Sequence, residues 1–238
     1  MSATGAFASA SQNGHHVRHA VAVDVVLFTI EGSTLKVLLV KREQAPYKDR
    51  WAIPGGLVRQ NESVDAAALR ALQEKTNISN IYLEQLYTFG EPNRDPRERV
   101  ITVAYYALVR AEQPELQSLP QQMAAEWFPV AKLPSPAFDH KNIVEYALER
   151  LRSKVNYTTI GFQLLPKSFT LTELQSAYEI ILAKRLDKRN FRRKMLQLGI
   201  LRNMREFKAN GRQRPAQLFT FTQPKVITLQ EKGIIVPF

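Results

Sequence analysis

The 238-residue chain has no cysteine. Disulfides and thiolate metal centres are excluded, and a reducing compartment such as the cytoplasm is the expected setting. It also lacks any apolar run near the ~20 residues that a membrane span needs, so no membrane partner is expected. The N-terminal segment MSATGAFASASQNGHHVRHA has no basic stretch followed by an apolar one, which argues against a secretory signal. Its Ser, Ala, Gly and Asn content predicts a disordered tail over residues 1–19. His15, His16 and His19 lie there without carboxylate companions, so no metal site is expected.

Acidic residues are scarce in the last third. Up to Ser153 there are 17 Lys+Arg and 17 Asp+Glu; from Lys154 to Phe238 there are 16 against 5. The net charge of +11 therefore sits entirely behind residue 153. A neutral front and a basic back predict two modules with different partners, and a polyanion suits the second. Basic residues that merely solubilise the back module are the plainer reading, but an imbalance of a whole module argues against it.

In the front module, Val21 to Ile30 and Leu35 to Lys41 read as strands around the turn Glu31-Gly32-Ser33. Ser63 is placed to cap a helix running to about Lys75. Ile81 to Gly90, Val100 to Val109 and Glu126 to Val130 read as further strands, and Asp139 as the cap of a helix to about Lys154. In the back module, Asn156 to Lys167 looks like a linker. Phe169 to Ala183 then carries Leu171, Leu174, Tyr178, Ile181 and Leu182 at helical spacing, with Thr170 or Thr172 as cap. Lys188 to Leu198 is a second helix, with Phe191, Met195 and Leu198 inward and Arg189, Arg192, Arg193 and Lys194 outward. Gly199 stops it. Ile200 to Met204 and Gln217 to Phe221 read as strands flanking a basic hairpin.

The stretch GGLVRQNESVDAAALRALQEKTNI, Gly55 to Ile78, has the spacing G-x5-E-x7-R-E-U-x-E-E-x-G-U, where U is apolar. Gly56, Glu62, Arg70, Leu72, Glu74 and Ile78 fall on their marks, after the approach WAIPGG. The chain thus resembles the Nudix hydrolases, whose loop–helix grips a nucleoside diphosphate joined to another group. The departures carry chemistry. Three carboxylates of the pattern fall at 71, 74 and 75, where this chain has Ala71, Glu74 and Lys75, and the box glycine is Asn77. These positions share one helix face, which in an active enzyme holds Mg²⁺ through oxygen ligands. With one carboxylate left and an ammonium beside it, no metal ligand and no catalytic residue is expected, and Lys75 is expected to lean on Glu74.

The loop Arg94-Asp95-Pro96-Arg97-Glu98-Arg99 offers guanidinium groups on a proline-stiffened turn, suited to phosphate. Its plainer reading is a solvated loop of mutually paired charges. The RDPR run and Ala137-Phe138-Asp139-His140 are similar to ADP-ribose-handling Nudix proteins. Candidate ligand contacts are Gly56, Glu74, Lys75, Arg94, Arg97, Arg99 and Phe138. His140 reads as a polar residue at a helix start and Trp51 as core.

Helix, turn, basic helix and basic hairpin is the order of a winged helix-turn-helix, whose second helix enters the major groove. Candidate DNA contacts are Arg189, Asn190, Arg192, Arg193, Lys194, Lys208, Arg212 and Arg214. The alternative is a basic helical hairpin packed on the front domain. A degenerate Nudix domain followed by such a module, with RDPR, AFDH, FTLTELQ, FRRK and GRQRPAQLF, resembles the Nudix-related transcriptional regulators of NAD metabolism, the NrtR family. The resemblance implies an α/β chain: an α/β/α Nudix sandwich over 20–154 and a smaller winged helix-turn-helix over 155–238. It further implies a homodimer on a palindromic double-stranded operator, repressing NAD biosynthesis or salvage genes. The implied effector is an adenine nucleotide, ADP-ribose foremost, with no cofactor required. An active ADP-ribose pyrophosphatase with an accessory nucleic-acid-binding domain is the alternative, and an RNA-binding Nudix protein a further one.

Overall fold

The computed structural model describes residues 19–78, 81, 83–111, 124–210 and 213–222. The expected disordered tail, His19 apart, lies outside them. So do Arg212 and the side chain of Arg214.

The front module is built on β1 (Ala20–Glu31), paired antiparallel with β2 (Thr34–Lys41) across the Gly32 turn. The other strands are β3 (Trp51–Ala52), β4 (Gly55–Leu57), β5 (Glu84–Phe89), β6 (Val100–Leu108) and β7 (Ala125–Pro129). The main path runs β3-β2-β1-β6-β5, with β4 on β1 and β7 on β2. β1 and β6 are parallel and almost fully buried, hence their near-continuous apolar runs.

The two faces of β1 separate by alternation. Val23, Val25 and Leu27, with Tyr105 and Ala107, pack against α1 (Val64–Thr76) through Ala67, Ala68, Ala71 and Leu72. Val26 and Phe28, with Tyr106 and Leu108, meet Ile143, Val144, Ala147 and Leu151 of α2 (His140–Lys154) on the other side. That is the expected α/β/α sandwich. Ser63 caps α1 by accepting from the Ala66 amide at 3.1 Å.

The second cluster runs without a break into the back module. The segment Asn156 to Lys167 is not a linker. Thr158, Thr159, Ile160, Phe162, Leu164 and Leu165 are buried around a 3-10 helix, Ile160–Leu164. Threonines and a glycine hide its apolar pattern, and Phe162 stacks on Phe221 at 4.7 Å. β8 (Phe169–Thr170), α3 (Leu171–Leu182), α4 (Lys188–Gln197), β9 (Leu201–Asn210) and β10 (Gln213–Phe221) complete a winged helix, with sheet order β8-β10-β9. Thr170 forms a full capping box with Glu173. Gly199, at φ +64°, ends α4 in the left-handed conformation that glycine adopts without strain.

The wing strands are longer than expected. Their polar residues face solvent, so alternation carries no hydrophobic signal. A pairing irregularity between Gln217 and Phe219 accompanies the left-handed Arg205.

Candidate ligand cavity and nucleic-acid interface

A cavity of about 330 Å³ opens between the ends of β1, β2 and β4, the start of α2 and the 94–97 loop. Its floor is set by the Pro54-Gly55-Gly56 turn. The Val25 amide donates to the Pro54 carbonyl at 2.8 Å, and the Ile53 amide donates to Nδ1 of His140 at 3.1 Å. A side chain at Gly55 would collide with the Asp24 carboxylate and lie 2.5 Å from the Val23 carbonyl oxygen, so this approach admits only glycine.

Arg94 is the hub. Its side chain is 4% exposed and bridges Asp24 of β1 at 3.3 Å and Asp139, just before α2, at 2.7 and 2.9 Å. Burial opposes its charge, but the bonds to Asp139 and the field of Asp24 outweigh this and hold its pKa above the ordinary value. Asp139 makes no side-chain bond to the helix N-terminus, contrary to its expected capping role, because its carboxylate is committed to Arg94. Arg97 is held by Asp95 through Nε at 3.0 Å and Nη2 at 2.7 Å, and that pairing keeps the Asp95 carboxyl below its usual range. His140 is buried, which pushes its pKa down against the opposing pull of Asp24 and Asp139.

Of the expected ligand residues, Gly56, Lys75, Arg94, Arg97 and Phe138 line the cavity. Glu74 and Arg99 do not. Glu74 does not meet Lys75 either: its oxygens accept from Arg59 at 3.0 Å and Arg70 at 3.1 Å. Arg70 also engages Glu62, through Nε at 2.8 Å, and holds that carboxyl down to about 2. Among the described residues the buried Nη1 of Arg99 meets no hydrogen-bond partner. Phe138 adopts a left-handed φ of +54°, with Arg42 stacked 4.6 Å from its ring centre and Tyr47 edge-on at 4.9 Å. Trp51 packs, half-buried, on Phe128.

Sequence reasoning missed Asp24, Arg42 and His140 as cavity groups. Asp24 had a readable signal, a lone carboxylate in an otherwise apolar strand. Arg42 had none.

The donor set does not suit Mg²⁺. Position 71 is a buried alanine, Glu74 is turned onto two arginines, and the third position presents an ammonium. Among the described residues no group of three acidic or histidine side chains could hold a metal.

In the back module, Phe191 and Met195 of α4 are buried, and Arg189, Arg193 and Leu196 lie on the opposite arc. Arg193 donates to Oδ1 of Asn190 at 2.9 Å. Arg192 donates to Thr172 at 3.1 Å, tying α4 to the start of α3. Lys208 of the wing pairs with Glu173 at 2.7 Å, and Lys194 is only half-exposed. Leu196, 51% exposed, escaped notice in the sequence because it interrupts a run read for its charge. Among the described residues no helix is long and apolar enough to cross a membrane.

Comparison with known families agrees with this division. Residues 18–150 match the NUDIX domain, and residues 161–221 match the NrtR DNA-binding winged helix domain. The fold and site define a Nudix domain joined to a DNA-binding module. The chain is 39% identical over 222 residues to the ADPR responsive transcriptional repressor NtrR of Acinetobacter baylyi, covering 91% of this chain and 87% of that one. It superposes on Shewanella oneidensis NrtR, solved in complex with a 27mer DNA, with a TM-score of 0.75 and 37% identity over 84% of this chain and 93% of that one. The chain belongs to the NrtR family. Its Nudix part is also 35% identical over 130 residues to the ADP-ribose pyrophosphatase of Methanocaldococcus jannaschii, covering 55% of this chain and 73% of that protein.

Proposed function

We propose that this chain is a transcriptional repressor of NAD biosynthesis or salvage genes whose hold on DNA is set by an adenine nucleotide, ADP-ribose foremost, bound in the Nudix cavity. The observation that carries the reading is a cation-rich cavity and a basic recognition helix built on one continuous core. The cavity binds without turning its ligand over, since the face that would hold Mg²⁺ carries Ala71 and Lys75. The protein acts in the cytoplasm as a homodimer, two winged helices meeting the two halves of a palindrome.

The route between the sites is short. Arg94 ties the cavity to the start of α2, and Nε of Arg152 near its end donates to the Ile181 carbonyl of α3 at 3.0 Å. A diphosphate that pulls on Arg94 shifts α2 and with it the helices that hold DNA. A coupling of about 1–3 kcal/mol changes DNA affinity roughly 5- to 150-fold.

The test is fluorescence anisotropy of labelled duplex from upstream of the host's NAD genes, with and without ADP-ribose at fixed salt. Tight binding that ADP-ribose weakens is expected. Arg193→Ala is expected to weaken DNA binding and to lower its salt dependence while ADP-ribose binding survives. Binding no tighter than to random duplex would overturn the repressor reading. Release of AMP from ADP-ribose with Mg²⁺, abolished by Glu74→Gln, would revive hydrolysis.

A further inference from the structure

A diphosphate in a Nudix cavity needs its charge offset, and the residues here offset it in an unusual way. Arg94 is engaged by Asp24 and Asp139, and Arg97 by Asp95. Lys41, Arg42 and Lys75 face the same cavity and make no ion pair among the described residues, and neither does Glu43, the remaining carboxylate of its lining. Arg42 donates to the Pro46 carbonyl at 3.0 Å and stacks on Phe138, which fixes its guanidinium without neutralising it. Lys75 sits half-buried on the last turn of α1, on the face shared with positions 71 and 74. Lys41 and Glu43 offset each other, so Arg42 and Lys75 leave a surplus that matches the roughly two negative charges of a diphosphate diester.

Resting on the nucleotide-binding reading above, we infer that the cavity takes its diphosphate free of metal, the Lys75 ammonium filling the electrostatic place of a divalent cation. The ligand class is therefore the uncomplexed dianion of a nucleoside diphosphate ester. Mg²⁺ competes with the protein for this ligand. A magnesium-bound diphosphate arrives nearly neutral, still carries several tightly held waters, and brings a dication against an ammonium at short range. Every one of those changes disfavours the complex. The geometry that excludes the metal is local: Ala71 offers no oxygen, and Arg59 and Arg70 turn the Glu74 carboxylate away.

The experiment is isothermal titration calorimetry of the full chain with ADP-ribose, in chelator and in millimolar Mg²⁺. Binding in chelator is expected, weakened by Mg²⁺ as it draws the ligand into its own complex. Lys75→Met is expected to cost about 10- to 100-fold in affinity, the scale of a charge-assisted hydrogen bond. Lys75→Glu is expected to bind poorly in chelator and to gain affinity when Mg²⁺ is added, the reverse of the parent. Retained DNA binding by both variants shows that they have folded. Parent affinity that rises with Mg²⁺, or Lys75→Met binding as tightly as the parent, would overturn the inference and leave the nucleotide reading standing. No heat or competition by ADP-ribose in either buffer would overturn the nucleotide reading itself, and this inference with it.

Discussion

Arg94 shows how one buried residue can both line a cavity and tie together the elements around it. Its guanidinium is held by the buried Asp24 and the half-buried Asp139, and the opposite charges offset the cost of burying it. Arg94→Met leaves Asp24 and Asp139 facing each other. A loss of about 3–5 kcal/mol is expected, read by urea denaturation at neutral pH. A loss below about 1 kcal/mol, the level of a surface pair, would mean that water reaches the cluster. His140 carries the pH dependence. Burial lowers its folded pKa below the usual 6.5, so the neutral ring is fully stabilising above pH 6.5. As pH falls below 6.5 the unfolded chain takes up a proton that the folded chain refuses, and stability declines until the lowered folded pKa is passed. Denaturation midpoints at stepped pH should show this decline in the parent and lose its His140 share in His140→Gln, which keeps an acceptor for the Ile53 amide. Equal slopes in the two would contradict the assignment.

At the scale of elements, α3 starts where its hydrogen bonds demand. The Thr170 hydroxyl accepts from the Glu173 amide at 3.1 Å, and Glu173 accepts from the Thr170 amide at 2.7 Å. Glu173 then has an oxygen left for Lys208, so one cap also fastens the wing to the helix. Thr170→Ala is expected to cost about 1 kcal/mol in chemical denaturation. An unchanged midpoint would indicate that Glu173 alone holds the helix start. α4 illustrates the opposite balance: it presents few apolar groups, Phe191 and Met195 chief among them, and its outer arc is dense in like charge. Its stability therefore rests on packing, and DNA phosphates relieve its self-repulsion.

At the scale of the molecule, one hydrophobic cluster joins the back of the Nudix sheet, α2 and the winged helix. The two modules share a core and are expected to melt in a single calorimetric transition that ADP-ribose shifts upward. Two resolved transitions would show that the shared cluster does not hold the modules together. The same continuity gives a signal from the cavity a mechanical route, since α2 begins at the cavity and ends against α3.

The strands β1, β2 and β6, the capped helices and the two-module division were legible because their signals are local: alternation, helical spacing, a cap residue, an uneven charge. The box spacing and the loss of its carboxylates were equally legible, since α-helical geometry alone puts 71, 74 and 75 on one face. The Asp139 reading failed because a carboxylate at a helix start has two possible partners, and only the fold brings Arg94 within reach. Glu74 turned from Lys75 because Arg70, one turn back on the same helix, and Arg59, arriving from outside it, both claim its oxygens. The buried 156–167 segment and the pairing of Asp24, Arg94 and Asp139 depend on partners distant in the chain, Asp24 and Asp139 being 115 positions apart. By itself the sequence determined the main strands and helices and which carboxylates the box lacks; the tertiary structure alone decided which charges face the cavity, because partners in an ion pair are chosen by distance in space.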